Sequence, residues 1–322
     1  MQAVVSIRTV IIVVCVVFSA HKALADTPNP GFKSLFIGHS FFKPYAQGMP
    51  DYVAAAGIAG HTQTIVFNGG ANGAPEALWN NQSKREQIQA ALNTGDIELF
   101  CMTYHPTFPS TEGYQNWISY ALEKNAGTRF CITLPWTPYP ANFNATNYAN
   151  SWVAFNTGAW QDFMDSIRAL YPGVDIFSVP YGQSAGELRL LQAAGNLPDA
   201  PNLQGNASNS IFKDNLGHAG DILVDLGRLV WLRALYDVDL TNYSYGPSYA
   251  TDLNALATAI MDGHDPDYDA AYRNDVDGDR VGDAIDNCIS IANPDQELAP
   301  GYTDCGAACV TMVCGAASCT NQ

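Results

Sequence analysis

The sequence predicts an α/β fold, a mainly parallel sheet flanked by helices on both faces in a three-layer sandwich. Short apolar runs alternate with helical stretches from Ser34 to Tyr236, the rhythm of strand-helix-strand units. Small-residue turns follow several of these runs, at the strand ends where open α/β sheets present their ligands. With 322 residues and 47% hydrophobic content, the chain is long enough for one large α/β domain plus something small.

Residues 1–25 are expected to lie outside that fold. Arg8, an apolar run over 10–18, and Ala23-Leu24-Ala25 before Asp26 read as a secretory signal peptide. The run is well short of the roughly 20 residues needed to span a bilayer. The mature protein is therefore expected to be exported, extracellular or periplasmic, with no membrane attachment after cleavage. Losing Arg8 and Lys22 takes the formal charge from −16 to −18. A polyanion of that size repels nucleic acid and anionic lipid.

The first strand is Ser34-Leu35-Phe36-Ile37, ending in Gly38-His39-Ser40. Met49, Tyr52, Val53 and Ala56 then fall at helical spacing within 46–59, and β-branched alternation over 61–67 predicts a second strand. Residues 68–75 form a loop with three glycines, whose backbone can approach a ligand closely. A helical stretch runs from Glu76 towards Leu92, and a third strand over 97–102 ends in Thr103-Tyr104-His105. A helix around Trp117 to Leu122 leads to a fourth strand over 129–134, and residues 136–150, rich in Pro, Asn and aromatics, read as a surface loop. A helix over 152–170, a fifth strand over 174–179, and helices over 187–194, 221–236 and 251–260 complete residues 26–262. No internal repeat is evident.

Serine is inert at its ordinary pKa, so Ser40 carries chemistry only beside a base. His218, directly before a strongly apolar helix, supplies one, and Asp214 is a candidate to orient it. Backbone N–H groups at Ser40 and in the glycine loop can meet a developing oxyanion. Phe36-Ile37-Gly38-His39-Ser40 resembles the first block of the SGNH (GDSL-like) hydrolases, and the Asp-His pair before a final helix resembles their last. Asn68 to Gly73 is similar to the block whose glycine donates to the oxyanion, here Gly73, and Ile176 to Gly182 to a strand-Pro-x-Gly segment of that superfamily. The resemblance, covering Ser34 to Asp237, implies a flavodoxin-like sandwich and a serine esterase acting on carbohydrate O-acyl groups or short-chain esters, without a catalytic cofactor.

Three positions depart from the pattern. His39 replaces the acidic residue of Gly-Asp-Ser. His105 stands where the family has an oxyanion asparagine, and either donates in its place or satisfies a loop carbonyl. Asp214 precedes His218 by four residues rather than three, so either the turn carries an extra residue or a carbonyl orients the histidine. Two other readings stand beside this one. Gly182-Gln183-Ser184-Ala185-Gly186 is a formal nucleophile elbow of α/β-hydrolase type, and an SGNH-like body that has lost activity would be a secreted binding or adhesion protein. Trp136, Tyr139 and Phe143 are candidates to stack on a sugar.

Residues 263–322 form an acidic, Cys-rich tail: 12 carboxylate residues fall between Asp262 and Asp304 against only Arg273 and Arg280. Asp275, Asp277, Asp279, Asp283 and Asp286, with the Val281 carbonyl, match the oxygen shell of a Ca²⁺ loop. With Asp286-Asn287-Cys288 and Asn293-Pro294-Asp295 following, the segment resembles a single thrombospondin type 3 repeat, which implies a spacer or an attachment element. Seven cysteines outside the leader are expected to form disulfides, with one left over.

Overall fold

The computed structural model describes residues 30–264, 287–288, 290–291, 297–300, 305–313 and 316–319, from residue 311 onward by backbone alone. Five parallel strands form the main sheet in the order β2-β1-β3-β4-β5: β1 (Lys33–Gly38), β2 (Thr62–Phe67), β3 (Leu99–Thr103), β4 (Arg129–Thr133) and β5 (Ile176–Val179). This is the flavodoxin-like order, whose switch point lies between β1 and β3. Side chains alternate across the sheet as a period of two demands. Phe36, Leu99, Cys101, Cys131, Phe177 and Val179 enter one core. Leu35, Ile37, Phe100, Met102, Phe130 and Ile132 enter the other.

The first core lies under α1 (Lys43–Ala55), α7 (Gln183–Ala193), α8 (Asp221–Tyr236) and α9 (Leu253–Asp262). The second lies under α3 (Gln82–Leu92), α4 (Glu112–Lys124) and α6 (Ala159–Arg168), with α2 (Pro75–Asn80) contributing Leu78. The remaining helix, α5 (Ala145–Asn156), sends Tyr148 to the first core and Trp152 to the second. α1 and α8 cross closely because both carry glycine at the contact. A Cβ on Gly48 would lie 2.2 Å from Arg228 Nε, and one on Gly227 2.1 Å from the Tyr45 ring. Pro50 inside α1 cannot donate to the Ala46 carbonyl. The Gln63 amide fills that place at 2.7 Å, which ties α1 to β2.

Several boundaries differ from the sequence expectation. The helix predicted over 152–170 is two, α5 and α6, because Gly158 leaves helical geometry, with φ −140° and ψ −99°. The stretch from Glu76 to Leu92 likewise divides at Asn81, whose side chain accepts from Lys84 N at 3.1 Å and starts α3. Residues 136–150 are not wholly a surface loop: α5 begins at Ala145, and Trp136 and Tyr148 are buried. Two short strands outside the main sheet, β6 (Asn202–Gln204) and β7 (Ser210–Phe212), pair in parallel just before α8. Cys101 and Cys131 face each other across β3 and β4 and form a disulfide, and Cys288 bonds Cys309 in the tail. A hairpin of β8 (Val310–Val313) and β9 (Ala316–Cys319) comes after it. No described helix is long and apolar enough to cross a membrane.

Candidate active site

Ser40, Gly73, His105 and His218 come from four loops at one end of the sheet. Gly38 closes β1 because only glycine fits there: a Cβ would lie 2.3 Å from Thr103 Oγ1 on the neighbouring strand. That hydroxyl donates to the Ile37 carbonyl at 3.1 Å and accepts from Thr133 Oγ1 at 2.9 Å, so three strand ends are locked together. The chain then turns, with Phe42 N–H donating to the His39 carbonyl, and Ser40 is left partly exposed at the tip. Gly73 lies against this turn. A Cβ on it would be 2.5 Å from the Gly38 carbonyl oxygen and 2.6 Å from that of Asn68.

His218 Nε2 lies 2.8 Å from Ser40 Oγ, and His218 Nδ1 lies 2.6 Å from Asp214 Oδ2. The other carboxylate oxygen, Oδ1, accepts from Gly217 N at 3.0 Å and His218 N at 3.1 Å. Partial burial pushes the Asp214 pKa up, but the hydrogen bonds from the His218 backbone, the His218 ring and Gly217 outweigh it and hold the carboxyl below its usual range. The turn reaches this geometry with a four-residue step from acid to base because Gly217 takes the left-handed conformation, φ +98°. Its base is closed by Lys213 N donating to the His218 carbonyl at 2.8 Å and by a Phe212–Ala219 bridge. Asn215 stands at the family spacing, yet the carboxylate facing the imidazole is that of Asp214.

Aromatic rings hold the histidine from behind. Phe41 meets the His218 ring edge-on at 5.2 Å and stacks on Trp136 at 4.8 Å. Trp136 Nε1 donates to the Gly217 carbonyl at 2.8 Å. Trp136 thus buttresses the turn that carries Asp214 and His218, and at 3% exposure it leaves no face free to stack on a sugar. Phe143 packs against Tyr148, whereas Tyr139 is exposed.

His39 and His105 have separate parts. Burial lowers the His39 pKa to about 4, against a hydrogen bond to the Tyr104 carbonyl that acts the other way. Its Nε2–H donates to that carbonyl at 3.0 Å, and Nδ1 faces Phe41 N–H at 3.4 Å, so a neutral ring staples the β1 turn to the end of β3. His105 is half-buried, which lowers its pKa too, and its Nδ1 accepts from Thr107 N at 3.2 Å. The remaining proton of a neutral His105 ring is therefore on Nε2, where it can donate. The His39 and His105 rings meet edge-on at 5.2 Å.

Ser184 is not at the sheet edge. It is fully buried in the first turn of α7, and its hydroxyl has no hydrogen-bond partner. Asp275, Asp277, Asp279, Val281, Asp283 and Asp286 lie outside the described residues. Among the described residues no group of three or more His, Cys, Asp or Glu side chains is gathered as a metal site. The buttress Phe41-Trp136, the His39 staple and the Gly217 conformation were missed in the sequence; a glycine directly before the candidate base was the one available signal.

No protein-family model matches the sequence, and no curated protein matches it. Among solved structures, the chain is similar to a DUF4886 family protein from Bacteroides uniformis ATCC 8492, with 17% identity over 72% of this chain and 94% of that one and a TM-score of 0.47. It is also similar to the periplasmic domain of a lipopolysaccharide acetyltransferase from Salmonella ser. Paratyphi A, with 13% identity over 63% of this chain and 82% of that one and a TM-score of 0.36.

Proposed function

We propose that the chain is a secreted serine ester hydrolase of SGNH type, acting on O-acyl groups. The observation that carries this reading is the unbroken relay Ser40–His218–Asp214, with the serine partly exposed at the switch-point end of a parallel sheet. His218 Nε2 takes the Ser40 proton as Oγ attacks the ester carbonyl, and the carbonyl electron pair moves onto oxygen. N–H groups of Ser40 and Gly73, with His105 Nε2–H, are the donors for that oxyanion. Collapse expels the alcohol, which receives the proton from His218, and leaves an acyl-Ser40 ester. Water then attacks with His218 again as base, which releases the acid and restores the serine. Asp214 holds the imidazole with its proton on Nδ1 and stabilises the imidazolium.

The test is p-nitrophenyl acetate hydrolysis by wild type and Ser40→Ala. A loss to background in the variant supports the reading, and equal rates remove Ser40 from the chemistry. From the sequence we further propose two units, a catalytic body over 26–262 and a tail over 263–322 whose carboxylates at Asp275 to Asp286 hold Ca²⁺.

A further inference from the structure

A groove unused by the triad runs between α1 and α8. Its near end adjoins the candidate active site: Pro44 lies just past the Ser40 turn, and Lys213 and Ala219 flank the turn that carries Asp214 and His218. Its far end lies under the loop that precedes α9, and the volume is about 750 Å³, within the range of ligand sites. A second hollow of about 360 Å³ continues past Tyr52, Tyr245 and Tyr249.

The groove is built rather than incidental. Its floor is the buried Asp225 carboxylate, which accepts from Tyr52 OH at 2.9 Å, Tyr249 OH at 2.7 Å and Arg228 at 3.1 Å. The covering loop has no regular structure, yet it is pinned at both ends. Asp199 accepts from Ala250 N, Thr251 N and Thr251 Oγ1 at 2.7–2.9 Å, while Tyr243 OH donates to the Tyr52 carbonyl at 2.9 Å. The result is a fixed display of Tyr245, 45% exposed and edge-on to the Tyr52 ring at 5.1 Å. Gly246 next to it has φ +107°, and a Cβ there would come within 3.1 Å of Tyr52 OH. Holding an aromatic ring in solvent on an ordered loop gives a preorganised contact, which lowers the entropy lost on binding.

Chemistry selects the occupant. The exposed Tyr245 ring, with Gln47, Asp51, Ser208 and Asp221 along the groove, offers an apolar surface for the C–H side of a sugar ring and acceptors and donors for its hydroxyls. An anionic ligand would meet Asp51 and Asp221, which outnumber the Lys213 cation at the near end, and the Arg228 cation is already paired with Asp225. We propose that this groove binds a neutral glycan chain. It rests on the esterase reading only for the further step, in which the bound chain presents its acyl group to Ser40.

The experiment is calorimetric titration of the full chain with xylo-, manno-, cello- and chito-hexasaccharides, repeated with Tyr245→Ala and Gln47→Ala, beside p-nitrophenyl acetate kinetics of each protein. At least one glycan should bind wild type, and Tyr245→Ala should weaken it about tenfold or more with p-nitrophenyl acetate hydrolysis unchanged. Absence of binding by every glycan, or binding that neither substitution weakens, overturns the proposal. Tyr245-dependent binding by a protein with no esterase activity would sustain the groove and remove the esterase reading.

Discussion

Ser40 and Ser184 begin from the same local pattern, a glycine two residues before a serine just after a buried strand, and end in opposite environments. Ser40 is partly exposed and hydrogen-bonded to an imidazole; Ser184 is fully buried and has no partner. The difference arises in the few residues between each strand and its helix. After β1 the chain turns through His39 and Phe41 before α1 begins, so the hydroxyl stays at the sheet edge. After β5, Gly182 is pressed against the β4 end, where a Cβ would lie 2.5 Å from the Leu134 carbonyl oxygen, and α7 starts at once. Ser184 therefore points into packing. A third serine, Ser178, lies 2.8 Å from His264 Nε2, with both residues buried. Proximity of serine to histidine does not make a nucleophile; exposure at the switch point and an oriented base are also needed.

Perturbing the relay gives the largest effect after loss of Ser40 itself. Asp214→Asn places an amide N–H against His218 Nδ1, favours the wrong tautomer, and should lower kcat by a factor of about 10³–10⁴. Steady-state kinetics checks this, and a change under tenfold would assign the orienting role to the turn's backbone.

The next effect is on stability. His39 is neutral in the fold down to about pH 4, whereas an unfolded histidine titrates near 6.5. Between those values the unfolded state binds more protons, so stability falls as pH drops from about 6.5 to 4, by on the order of 3 kcal/mol. Urea midpoints across that window should show the slope, and His39→Gln should flatten it. The smallest effect belongs to Ser184→Ala, which removes a buried hydroxyl without a partner. Ester hydrolysis should stay within about twofold of wild type, and stability should hold or rise by up to about 1 kcal/mol.

Much of the fold was legible in the sequence because four of the five main-sheet strands are short, largely apolar runs and β2 is a β-branched alternating one, each bounded by Gly, Pro or polar turns. Where helices were misjudged, single residues decided the matter: the backbone turn at Gly158 separates α5 from α6, and the Asn81 side chain starts α3. Ser40, His218 and Asp214 could be picked out by residue type and by position after strands or before a helix. The spacing anomaly at Asp214 could not be resolved there, because it depends on the sign of φ at Gly217. The Trp136 buttress was misread as a surface aromatic for a similar reason. An indole that donates to a carbonyl 81 residues away leaves no local pattern. The tyrosine groove was equally hidden, since Tyr52, Asp225 and Tyr245 meet only when α1, α8 and the loop before α9 are assembled.

The contrast between the two serines is tested most directly by treating the protein with a fluorophosphonate probe and mapping the labelled peptide. A single adduct on Ser40 is expected, absent in Ser40→Ala and retained in Ser184→Ala. An adduct on Ser184, or a protein that turns over p-nitrophenyl acetate with Ser40 unlabelled, would contradict the assignment of Ser40 as the nucleophile.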